Sequence, residues 1–164
     1  MDLLDRLLGH DRWTTTQLLE RCRELRAEQW TQPFDLGHQT LVATFQHMIG
    51  NVRVWTDLMA ERPIQSPADE ALITADLLLA AWQRAYTDFA ALARGIADEH
   101  RWDATYVDVL DDPPRSKSYG GTIAHIITHN MHHRAEIIHM LTRLGLQNVL
   151  EGDVLSWEQQ TRRT

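Results

Sequence analysis

The chain has a single cysteine, Cys22, among its 164 residues. It therefore has no internal disulfide and no Cys-rich zinc pattern, and a reducing compartment is the simplest setting. No uncharged apolar run approaches the roughly 18–20 residues that span a bilayer. Asp2, Asp5 and Arg6 interrupt the N-terminal apolar stretch that an export signal would need, which predicts a cytoplasmic protein without a membrane partner. Clustered positive charge is also missing: the net charge is −7, and Arg162–Arg163 is the only adjacent basic pair. Nucleic-acid binding draws its affinity from clustered Lys and Arg, so nucleic acid is excluded as an expected partner.

Hydrophobic residues at 43% and charged residues at 24% match ordinary globular usage, and the length suits one domain over residues 1–164. Apolar positions recur at helical spacing through Leu3, Leu7, Leu18, Cys22 and Leu25, which predicts a first helix ending before Pro33. A second helix is expected from about Thr40 to Glu61, a loop with Pro63, Ser66 and Pro67, and a third helix from near Thr74 to Gly95–Asp98. Residues 101–119, with Tyr106, Val107 and Val109 ahead of Pro113 and Pro114, read as a long loop or small hairpin that walls a site. A fourth long helix is expected to take Thr122 as its N-cap and Gly145 as its left-handed C-terminal stop. A shorter fifth helix follows Asp153.

Of the nine histidines, five lie in that fourth helix: His125, His129, His132, His133 and His139. Residues four apart differ by only about 40° around a helix, so His129 and His133 share a face and can converge on one ion. On a helical wheel they flank an apolar arc of about 120° that includes Ile123, Ile126, Ile137 and Leu141. His125 sits further round, and His132 and His139 lie opposite, towards solvent or another subunit. A metal site needs at least three ligands. His47 is the best-placed third, because it shares a flank of the second helix with Asn51, Val54 and Leu58.

Glu136 could orient a ligand or act as a base, although a solvated Glu paired with a nearby His is the simpler expectation. Arg134 and Asn130 fall inside the apolar arc, where a charge needs a carboxylate or carbonyl partner; Arg134 reads as a structural anchor. His10, His38 and His100 fall near element ends and read as structural, and the six tryptophans read mostly as packing. HNMHH lacks a Glu after its first His, which excludes a zincin-type protease.

DRW at 11–13, the segment TFQHMIGNVRVW with His47 eight residues before Trp55, and IAHIITHNMHHRAEIIHMLTRLG together resemble the DinB/YfiT-like family of metal-dependent enzymes over almost the whole chain. Its motif is a His-Arg-Gly-Gln run with another His four residues earlier; here His133, Arg134, Ala135 and Glu136 stand in those places, after His129. The resemblance implies His47, His129 and His133 as ligands of a divalent metal ion, zinc or nickel, in an up-down-down-up four-helix bundle, all-α with a short extra C-terminal helix and commonly a homodimer. Some such proteins are thiol-dependent S-transferases that use a low-molecular-weight thiol cosubstrate. Three expectations follow: a metal-dependent hydrolase or thiol S-transferase acting on a small-molecule substrate, a non-catalytic metal-binding stress-related dimer, or a plain bundle without metal.

Overall fold

Asp2, Thr40, Thr74, Ser118 and Asp153 each lie in extended backbone one residue before a helix, and each side chain accepts a hydrogen bond from an amide three residues on. These caps satisfy amides that the first helical turn leaves without partners. In the computed structural model, which describes residues 1–64 and 74–162, they start five helices: α1 (Leu3–Arg21), α3 (Leu41–Met59), α4 (Ala75–Asp98), α5 (Tyr119–Arg143) and α6 (Val154–Thr161). A short α2 (Ala27–Trp30) lies between the first two. The expected loop positions Ser66 and Pro67, and Arg163, fall outside the described residues.

The first helix is shorter than its apolar spacing predicts. It ends at Arg21, and Cys22–Glu24 tighten into a 3-10 turn before extended Leu25, so Trp30 reaches the core from α2 instead. The N-terminus of α5 also differs from expectation. Ser118, not Thr122, is the N-cap, and buried Thr122 donates to the Ser118 carbonyl and shares a 2.8 Å hydrogen bond with the Tyr106 hydroxyl. Gly145 does stop the helix as expected, at φ +89°, with Leu146 N–H reaching back to Leu141.

The stretch before α5 holds one antiparallel hairpin, β1 (Thr105–Asp108) with β2 (Arg115–Ser118), Tyr106 facing Lys117. The described residues are otherwise helical where they are regular. Each of the four long helices packs on two others: α1 and α3 both lie against α4 and α5, and α6 covers α1. Leu18, Leu19, Phe45, Met48, Trp82, Phe89, Ile126 and Leu141 are fully buried between them. Each such side chain contributes about 1.5–3 kcal/mol by leaving water. Among the described residues, no helix is long and apolar enough to cross a membrane.

Candidate metal centre

The apolar arc of α5 is buried through Ile123, Ile126, Ile137 and Leu141, and that orientation fixes where its polar residues point. Arg134 and Asn130 enter the core and meet Asp11 of α1. Arg134 Nη1 donates to one Asp11 oxygen, and Asn130 Nδ2 donates to the other at 2.8 Å. This is the carboxylate partner that a charge in the arc requires. Burial pushes the Arg134 pKa down to about 10, still charged at neutral pH. The DRW segment thereby locks α5 against α1, one residue from His133.

On the flank of the same helix, His129 and His133 turn towards α3. His129 Nε2 lies 3.2 Å from His47 Nε2 and 3.2 Å from His133 Nε2. One imidazole nitrogen carries one proton or one lone pair, so it cannot serve two good hydrogen bonds of this kind at once. Nitrogens on a tetrahedral ion with metal–nitrogen bonds of about 2.0–2.1 Å stand roughly 3.3 Å apart, so the spacing and chemistry of the donors fit a divalent cation. Burial, and then the neighbouring histidines, push the His47 and His129 pKa values down to about 4, leaving both rings neutral at pH 7 as ligation requires.

Two relays hold these rings. Glu136, with a side chain only 10% exposed, accepts from His133 Nδ1 at 2.8 Å. That bond directs His133 Nε2 into the cluster, the usual outer support of a metal-bound histidine. Glu136 does pair with histidines, including exposed His132 at 3.3 Å, but it is enclosed and not the solvated residue expected. On α3, Trp55 Nε1 donates to Asn51 Oδ1 at 2.9 Å, which turns the Asn51 amide nitrogen towards His129 Nδ1 at 3.2 Å.

A model of the DinB family matches residues 1–162. The chain belongs to the DinB family. No curated protein matches it. As a DinB-family protein it carries the metal association of that family, and its histidine cluster supplies a place for an ion.

Other positions depart from the sequence reading of this DinB-family chain. His38 was expected to be structural, yet its ring stacks on His47 with centroids 3.9 Å apart and lies 5.2 Å from His133. Nothing in helical periodicity flags it, because it stands on a loop; its one local signal is the glycine before it. Trp55 is half-buried at the site instead of sitting in the core. With His125, Ser118, Gly121, Thr122 and Lys117, the chain's one lysine, it lines a cleft of about 360 Å³. Lys117 lies 4.7 Å over the Trp55 ring and pairs with Asp108 and Asp111. His125 links cleft and cluster, 5.6 Å from Trp55 and 5.3 Å from His129. His139 is exposed, His10 bonds the Gly152 carbonyl to fasten α1 to the segment before α6, and exposed His100 follows the end of α4.

Proposed function

We propose that the chain is a divalent-metal-dependent enzyme, with His47, His129 and His133 holding zinc or nickel in an up-down-down-up four-helix bundle. The observation that carries this reading is the meeting of three imidazoles, with His129 Nε2 3.2 Å from Nε2 of both His47 and His133, beside an open cleft. When bound, the ion supplies positive charge that makes a nearby water or thiol acidic enough to react near neutral pH. Glu136 keeps His133 in the tautomer whose Nε2 is free, and the buried Asp11–Arg134 pair keeps α5 in register. Trp55, His125 and Thr122 form the wall against which a small-molecule substrate rests, and the hairpin closes one side, in line with the walling role read for residues 101–119.

The reaction is hydrolysis or S-transfer with a low-molecular-weight thiol as cosubstrate, in the cytoplasm. A cosubstrate must bring the thiol, because Cys22 is fully buried and its pKa is pushed far up. Val107, Val109 and Leu110 are each more than half exposed and give the hairpin an apolar outer edge for a second copy in a homodimer.

A non-catalytic metal-binding dimer makes the opposite prediction about folding. A closed structural ion is part of the fold, so its loss melts the protein, whereas an open catalytic site on a bundle with its own core leaves the metal-free protein folded. Metal content of untagged protein, measured by mass spectrometry beside folded His47→Ala and His133→Ala variants, tests the centre. One divalent ion per chain, lost in both variants, is expected; a protein that refuses added zinc and nickel rejects it. Turnover of thiol-dependent and hydrolytic test substrates only by the metal-loaded form then separates the enzyme from the non-catalytic metal-binding dimer.

A further inference from the structure

We infer that His38 is a further, displaceable ligand of the metal centre, a fourth imidazole delivered by the loop ahead of α3. The inference rests on the metal-centre reading above and adds to it. Ligand nitrogens of His38, His47 and His133 all lie within 4.8 Å of one another. Ligands on a tetrahedral ion stand roughly 3.3 Å apart, so His38 is at most about 1.5 Å from ligating range. Its ring is now stacked on His47 with the two planes only 30° apart, so the rings lie face to face and do not converge edge-on upon a shared centre. Ligation therefore requires the His38 ring to turn, and its exposed position leaves room for that turn.

The loop is built to keep His38 at this place. Phe34 N–H donates to the Gln39 carbonyl at 2.7 Å, Gln39 N–H to Leu36 at 2.8 Å, and Thr40 N–H to His38 at 2.8 Å. Gly37 and Gln39, on either side of His38, both take positive φ, +45° and +68°, uncommon for a residue such as Gln39. Gly37 lies against the Glu136 carboxylate, where an added Cβ would come within 2.4 Å of an oxygen. The residue beside His38 thus touches the carboxylate that orients His133.

His129 gives a reason for a fourth imidazole. Asn51 presents a donor to His129 Nδ1, which places the ring proton on Nε2, the nitrogen that must be free to ligate. His133, by contrast, has an acceptor at Nδ1. His38, His47 and His133 can therefore hold an ion while His129 is in this tautomer; His129 joins as the fourth ligand once its proton leaves Nε2, and His38, the exposed one, is the ligand that an incoming substrate replaces.

The test uses zinc alone. Zinc-nitrogen coordination is counted by X-ray absorption and affinity is measured by chelator competition, for the full chain and its His38→Ala, His129→Ala and doubly substituted variants, each checked for folding by circular dichroism. Four nitrogens are expected in the parent and three in His38→Ala, whose Kd rises at least about tenfold. His129→Ala should retain zinc, and the double variant should bind at least about tenfold more weakly than either single one. A His38→Ala protein with the parent's nitrogen count and Kd overturns the role of His38 and leaves the three-histidine centre standing. A parent that binds no zinc overturns both.

Discussion

At the scale of single residues, the site depends on what stands behind each imidazole. Asn51 is the weak support, because it offers His129 Nδ1 a donor where a ligating histidine needs an acceptor. Replacing it with a carboxylate corrects this: Asn51→Asp should tighten zinc binding about tenfold by chelator competition, with Trp55 still able to donate to the new side chain. Unchanged affinity would mean that His129 does not ligate through Nε2. Gly37→Ala tests the opposite face. Its methyl group would collide with the Glu136 carboxylate at a backbone angle that alanine tolerates poorly. Zinc affinity should fall about 10–100-fold while helix content stays the same; a variant with parental affinity would show that Glu136 does not support His133.

Among the elements, the pairing of α1 with α5 matters most for the site. Asp11 is fully buried and accepts from both Arg134 Nη1 and Asn130 Nδ2. Removing one partner of a buried pair leaves an uncompensated charge, which typically costs about 3–5 kcal/mol. Asp11→Ala should lose that much in urea unfolding and should also weaken zinc binding, because Arg134 adjoins His133. An Asp11→Ala protein with parental stability would show the pair to be dispensable. The hairpin carries less of the fold: Tyr106 anchors it to Thr122, while Val107 faces outwards.

For the whole molecule, core and site are separable. Metal removal by chelator should leave the far-ultraviolet spectrum of a folded helical protein, and collapse of that spectrum would favour a structural ion. The metal-free protein should also show a specific pH dependence. His47 and His129 titrate near 4 when folded and near about 6.5 when unfolded. Between those values the unfolded chain binds more protons, so stability is full above about pH 6.5 and drains as pH falls towards 4. Thermal melts at stepped pH should show Tm falling across that window, and zinc at saturating concentration should raise Tm near neutral pH. A flat Tm from pH 7 to 4.5 would mean that the two rings are not held neutral.

Helical content, the α3 and α4 boundaries, the Gly145 stop and the burial of Arg134 were all legible in the sequence, because each follows from local spacing, capping chemistry or the cost of a buried charge. The facing of His129 and His133 towards one side was legible too, since a buried arc fixes the angle of every other residue on its helix. Tertiary structure decided the rest. The first helix stopped at Arg21 and the cap of α5 moved to Ser118, because the 3-10 turn and the hairpin end locally where no periodic signal reaches. His38 and Trp55 joined the site only through packing: one stands on a loop and the other on a flank that resembles core in any linear pattern. Spacing along one helix determines which residues share a face, but which loop comes to lie over that face is settled by contacts between segments far apart in the chain.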